Sequence, residues 1–263
     1  MTETLYVGGA TGYDQMFARI TEAFIPALLH AAQIAEGQRI LDVATGTGAA
    51  ARAAKDSVGP TGEVVAGDIS STMLDAARRN ENKVGIKFEQ FDGHKLPYPD
   101  AHFDRLICQL GLAFFDDPLR GLTEFRRVLK REGRAAVIVN SLPERSLFTR
   151  ICTVIARYVP ERAEQLNRYA SIRTPERLSK LFIDAGFQGV SVRTETKSFT
   201  FASFDDYFAG TEAGAGLSGQ EYGKLPLETR RAVRETMRLS FADGGSHKPF
   251  VVEMEVLVGS GDR

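Results

Sequence analysis

The chain has little net charge. Across 263 residues, 33 lysines and arginines stand against 34 aspartates and glutamates, leaving −1. The basic residues are spread along the sequence, so the footprint that grips a phosphate backbone is missing and no nucleic-acid partner is expected. Cysteine is nearly absent: Cys108 and Cys152 are the only two. One falls in an apolar strand pattern and the other on the apolar face of a helical pattern, where a free thiol packs as a small hydrophobe. A disulfide is therefore not expected. The four histidines join no cluster with metal-ligand spacing, so no metal is expected either. Long apolar runs are missing too. None approaches the ~20 residues of a membrane span, and the N-terminal stretch has no basic segment leading into a continuous apolar core. The expectation is a cytoplasmic protein with no signal peptide and no membrane span. No internal repeat or low-complexity tract appears.

What is present is ordinary globular material, 43% hydrophobic and 25% charged, in a chain long enough to bury a substantial core. Residues 39–48 organise it. Ile40, Leu41 and Val43 suit a strand buried on both faces, interrupted near its end by Asp42. Gly46 and Gly48 then form a turn in which backbone can approach a ligand with no Cβ in the way. The alanine-rich run that follows is a helix former, so N–H groups at its N-terminus face the same place. Twenty residues beyond Gly48, Asp68 ends a second apolar strand, where a carboxylate meets the ribose hydroxyls of a nucleoside cofactor.

Along the chain, Met16, Phe17, Ile20 and Phe24 recur at helical spacing, and Pro26 opens the next helix. Strands are expected at 39–43, 63–68, 86–91, 103–110 and 134–140. Helices capped by Ser70 or Ser71 and by Asp117 lie among them, the latter ending at Glu132-Gly133. Such alternation implies a parallel sheet covered by helices on both faces, with ligands beyond the carboxyl ends of the strands. Those ends carry Asp42, Asp68, Asp92, Gln109 and Asn140. After Asn140 the pattern gives a helix from Leu147 to Tyr158, one capped by Thr174 before Pro175, an alternating strand from Val190 to Thr196, a short helix at 204–208 and a charged helix from Pro226 to Leu239. A last alternating strand runs from Phe250 to Val258. Gly210 to Gly223 is glycine-rich with weak apolar signals and is expected to be a mobile loop.

Four segments in order resemble a known family: Leu41-Asp42-Val43-Ala44-Thr45-Gly46-Thr47-Gly48; Val65 to Leu74 with Asp68 and Met73; Phe91-Asp92-Gly93; and Phe103 to Gly133, containing Glu124-Phe125-Arg126-Arg127-Val128-Leu129-Lys130. They resemble the class I S-adenosylmethionine-dependent methyltransferases of the ubiquinone and menaquinone biosynthesis (methyltransferase type 11) group. Arg131 and Glu132 depart from that group's proline and glycine. The resemblance implies an α/β fold: a Rossmann-like, doubly wound, mostly parallel seven-stranded sheet with helices on both faces and a helical cap. It implies one domain over 1–263, with 13–140 as the cofactor core, 141–188 and 203–248 as cap insertions over the acceptor, and 189–202 and 249–259 as final strands.

The resemblance also implies S-adenosyl-L-methionine as the cofactor and a role for each matching position. Gly46 and Gly48, with Ala44 between strand and turn, pass close to its methionine part, with Asp42 nearby. Asp68 accepts from the ribose, Ile69 and Met73 pack on the adenine, and Asp92 and Gly93 meet the adenine amino group. Tyr13 covers the amino-acid end, and Gln109 ends the fourth strand beside the site. Two other readings stay open: an NAD(P)-dependent oxidoreductase, since Gly46-Thr47-Gly48-Ala49-Ala50-Ala51 also fits a dinucleotide turn, and a silent S-adenosylmethionine-binding protein. Asp42 disfavours the dinucleotide, because it would repel a pyrophosphate.

Methyl transfer from a sulfonium needs alignment and water exclusion more than it needs a base. His94 and His247 are the only weak candidates for one. The fourth strand ends Cys108-Gln109-Leu110-Gly111, without the run that related enzymes use on nucleobase amino groups. The expected partner is a small organic acceptor, aromatic or apolar, with Phe114, Asn140, Arg145 and Tyr207 as candidate contacts.

Overall fold

A period of two divides the central strands between two separate cores. Ile40, Val64, Ile107, Ala136 and Ile138 belong to one apolar cluster, while Leu41, Val65, Leu106, Val137 and Val139 belong to the other. Strand neighbours point to opposite faces, so a strand apolar at both parities must be covered on both sides. The structure, a computed structural model, describes residues 17–80, 85–167, 170–241 and 249–263.

Seven strands form one open sheet: β1 (Arg39–Val43), β2 (Glu63–Asp68), β3 (Ile86–Gln90), β4 (Phe103–Gln109), β5 (Leu129–Asn140), β6 (Gln188–Phe201) and β7 (Phe250–Asp262), in the order β3-β2-β1-β4-β5-β7-β6. β1 to β5 pair in parallel, and β7 runs antiparallel between β5 and β6. The sheet reverses direction of growth between β1 and β4, the place where folds of this kind open a crevice at the strand ends.

Local sequence explains the helices. The elements α1 (Phe17–Glu22), α2 (Ile25–Ala32), α3 (Ala49–Val58), α4 (Ser71–Arg79) and α5 (Pro118–Val128) accompany the parallel strands. Ser70 caps α4 by accepting from the Met73 N–H, and Asp117 caps α5 by accepting from the Arg120 N–H. After β5 come α6 (Leu147–Tyr158), α7 (Ala163–Asn167) and α8 (Pro175–Asp184), the last capped by Thr174. Between β6 and β7 lie α9 (Phe204–Glu212), α10 (Gly216–Gly223) and α11 (Leu227–Leu239). No helix among the described residues is long and apolar enough to cross a membrane.

Three expectations change. Residues 129–133 are extended, because the chain leaves α5 at Val128 and Leu129 pairs with Phe103; Glu132-Gly133 therefore lies inside β5 rather than ending the helix. The last two strands are longer than the alternation indicated. β5 pairs with β7 only as far as Asn140 opposite Val256, whereas β6 and β7 continue to Phe201 opposite Phe250. Their outer halves overhang the carboxyl edge of the parallel strands. The segment 210–223, expected as a loop, holds the end of α9 and all of α10, and Leu217, Ser218, Glu221 and Tyr222 are buried.

Candidate active site

A cavity of about 160 Å³ opens at the carboxyl ends of β1 to β5. β1 supplies Val43 and, just past its end, Ala44 and Gly46; β2 supplies Asp68, followed by Ile69 and Met73. Phe91, Asp92, Gly93 and His94 follow β3, while Gln109, Leu110 and Gly111 come from the end of β4. Asn140 closes the β5 side, and α6 and α10 cover the remainder with Phe148, Thr149, Cys152 and Gly216 to Ser218. A smaller pocket under α1 shares Thr21, Ala44, Gly46, Gln109 and Leu110 with it and adds Asp42 and Thr45.

The turn after β1 is held by carboxylates. The Gly46 N–H donates to Asp68 Oδ2 at 2.9 Å, and Asp68 Oδ1 accepts from the Ser70 N–H at 2.9 Å. Thr45 Oγ1 donates to Asp42 Oδ2 at 2.6 Å, while Asp42 Oδ1 is buried with no partner. Burial, and then the neighbouring charge of Asp68, push the Asp42 carboxyl up to about 7 against the opposing Thr45 hydrogen bond. Burial likewise raises the Asp68 carboxyl. Gly46 has φ +56°, and a Cβ there would meet nothing within 4 Å, so this glycine leaves open space on the ligand side. Gly48 differs. It lies in neither pocket wall, and its added Cβ would press on Arg52, Phe88 and Ala77, so it serves the packing of α3. Ala44 and Leu110, both left-handed at φ +58° and +57°, flank the crevice where the sheet reverses.

The remaining expected residues separate into groups. His94 Nδ1 lies 2.7 Å from Asp92 Oδ1, and His94 Nε2 accepts from the Asp117 N–H at 3.2 Å. The first contact is therefore a donation from Nδ1–H, and both ring nitrogens are engaged. Burial opposes the Asp92 charge, yet the His94 N–H and ring hold that carboxyl below its usual range. Gln109 Nε2 donates to the Thr21 carbonyl at 2.7 Å, tying α1 to β4. Phe114 and Asn140 are in the cavity wall. Arg145 is not: it pairs with Glu255 at 2.9 Å on the surface. Tyr207 is also elsewhere, 1% exposed among Phe201, Phe204, Phe241 and Phe250. Tyr13 and His247 lie outside the described residues. The structure adds wall residues the sequence did not single out, chiefly Thr149, Cys152 and the 216–218 segment.

Residues 41–137 match the family described as Methyltransferase domain. The chain is 34% identical over 176 residues to the ubiquinone/menaquinone biosynthesis C-methyltransferase of Pseudomonas syringae, covering 61% of this chain and 69% of that protein. It is 34% identical over 178 residues to the demethylmenaquinone methyltransferase of Deinococcus radiodurans, covering 62% and 71%. The chain belongs to the class I S-adenosylmethionine-dependent methyltransferases of this family. Two solved structures share the fold. Phosphoethanolamine N-methyltransferase 2 of Haemonchus contortus, solved with S-adenosylhomocysteine, aligns with TM-score 0.63 at 16% identity over all of this chain and 58% of that one. The YcgJ protein of Bacillus subtilis aligns with TM-score 0.60 at 16% identity, covering 92% and 98%.

The methyltransferase site suits its cofactor, S-adenosylmethionine. An orphaned, buried Asp42 oxygen and the Asp68 carboxylate suit an ammonium and hydroxyl groups, and the Ile69, Met73 and Phe91 wall suits a flat base. It suits a dinucleotide poorly. The Gly46 N–H, which a phosphate would need, is given to Asp68, and the cavity wall among the described residues has no lysine or arginine.

Proposed function

We propose that this methyltransferase acts on a small uncharged acceptor, a quinol-type ring methylated on carbon. Residues 13–140 hold the cofactor, and the segments 141–188 and 203–248 choose the acceptor. The observation that carries this is the contrast between the two ends of the cavity. The β1–β3 end is acidic, with Asp68 and Asp92, whereas the end between α6 and α10 presents Phe114, Phe148, Leu217, Asn140, Thr149, Cys152 and Ser218, with no charged side chain. An ion would enter that end without a counter-charge, which is costly away from water. The names of the two relatives, which place them in ubiquinone, menaquinone and demethylmenaquinone chemistry, support the ring class.

S-adenosylmethionine, when bound, supplies a methyl group on a positively charged sulfur. The chain's contribution is placement. Asp42 and Asp68 fix the cofactor's polar ends, Ile69 and Met73 fix its flat end, and the α6 and α10 walls exclude water and press the acceptor toward the strand ends. His94 is a positioning residue: with Nδ1–H donated to Asp92 and Nε2 accepting from the Asp117 N–H, it braces the turn after β3. The proposed acceptor brings its own nucleophilicity, as an electron-rich hydroxylated ring does. A screen of reduced quinols, phenols, amines and carboxylates for S-adenosylhomocysteine release tests the proposal. Turnover confined to charged amines or to macromolecules would refute it.

A further inference from the structure

The end of the cavity remote from the acidic cradle is lined by two residues whose hydroxyl oxygens are buried with nothing to bond. Thr149 on α6 and Ser218 on α10 are 2% and 3% exposed, both belong to the cavity wall, and neither hydroxyl has a hydrogen-bond partner. Folded proteins rarely leave such groups unmatched, because removal from water without a new bond is unfavourable. Two of them on different helices in one wall call for a common reason. Beside them, Asn140 Oδ1 already accepts from Ser146 Oγ at 3.0 Å, which commits its oxygen and leaves its NH2 group as a donor. Around these polar groups the wall is apolar, with Leu110, Phe114, Phe148 and Leu217.

We infer that Thr149 and Ser218 are the specificity-determining pair of this methyltransferase, binding an oxygen of the acceptor's ring that its apolar neighbours enclose. This rests on the function proposed above and names the side chains that exert the choice. In the structure both oxygens are shut off from the open space, so binding requires each hydroxyl to rotate about its Cα–Cβ bond, between staggered positions, to reach the acceptor. Each hydroxyl donates or accepts as the acceptor requires. An acceptor oxygen thus completes two buried groups at once, while a hydrocarbon leaves both unmatched and a carboxylate meets no cation. Thr211 supplies an internal comparison: its hydroxyl is equally buried and unpartnered on the neighbouring α9, but it is not in the cavity wall.

Equilibrium dialysis of the full chain saturated with S-adenosylhomocysteine tests the pair, with 1-naphthol, naphthalene and 1-naphthoate as ring probes. The parent should bind 1-naphthol more tightly than naphthalene and should not retain 1-naphthoate. Thr149→Val and Ser218→Ala should each weaken 1-naphthol about fivefold, the ratio for one neutral hydrogen bond. Both should leave naphthalene and S-adenosylhomocysteine binding unchanged, and Thr211→Val should leave all of them unchanged. The inference is overturned if 1-naphthol binds the parent no better than naphthalene, or if both wall variants hold it as the parent does. It is also overturned if Thr211→Val weakens it equally. Absence of S-adenosylhomocysteine binding by the parent is a separate result, which overturns the cofactor assignment on which the proposed function stands.

Discussion

Asp42 couples the stability of the empty protein to pH, and Asp42→Asn exposes that coupling. In the unfolded chain this carboxyl titrates near its ordinary 3.8, whereas in the folded protein it is held up to about 7 by burial and by Asp68. The folded state therefore holds its proton more tightly. Below about pH 4 both states are protonated and the site is neutral to stability. As pH rises from there to about 7, only the unfolded state loses the proton, and stability falls by about 1.4 kcal/mol per pH unit. The full cost, about 4 kcal/mol, is present above pH 7. An asparagine cannot ionise, so the variant lacks this dependence. Urea unfolding of parent and variant without cofactor, at pH 5, 6, 7 and 8, should show the variant's relative stability rising by about 3 kcal/mol across the series. The same variant should bind S-adenosylmethionine at least about tenfold more weakly, because the orphaned Oδ1 no longer offers charge to an ammonium. Stability curves that stay parallel across the pH series would show that Asp42 does not couple folding to pH, whatever the absolute stabilities.

Two further outcomes follow from the site. Gly46→Arg puts a long side chain into open space at a left-handed backbone position, so S-adenosylhomocysteine binding measured by calorimetry should disappear while the far-ultraviolet dichroism remains native. His94→Asn removes the hydrogen bonds to Asp92 and Asp117 that brace the turn after β3. It should lower kcat less than about tenfold and leave the shape of the pH–rate profile unchanged, in contrast to the larger loss expected of a general base.

How much of this was readable in the sequence depends on how local each determinant is. The β1 turn with Asp42, Gly46 and Asp68, and the caps at Ser70, Asp117 and Thr174, involve residues close together along the chain or at fixed strand ends, and the structure forms them where their residue types indicated. The 210–223 segment was not readable. Five glycines dilute its apolar period, and its helices form against α6 and the overhanging ends of β6 and β7, contacts that no local pattern encodes. Direction is a second limit. An aromatic residue such as Tyr207 has no sequence mark that distinguishes an acceptor pocket from a cluster of phenylalanines, and Arg145 has none for its distant partner Glu255. Thr149 and Ser218 show the converse, since small neutral side chains on helices look like ordinary surface until burial reveals them. Gly48 was legible as a turn residue, but its packing was not, because its close neighbours Phe88 and Ala77 come from other elements.

The proposed activity is methyl transfer to a hydroxylated ring, carried by the acidic cradle and the uncharged wall together. Incubation of the protein with S-adenosylmethionine carrying a deuterated methyl group and a reduced quinol, followed by mass spectrometry and nuclear magnetic resonance of the product, tests it most directly. The labelled methyl should appear on a ring carbon, with one S-adenosylhomocysteine formed per product and both yields lost in Gly46→Arg. Tight S-adenosylmethionine binding, with no label reaching any quinol or phenol, would contradict it.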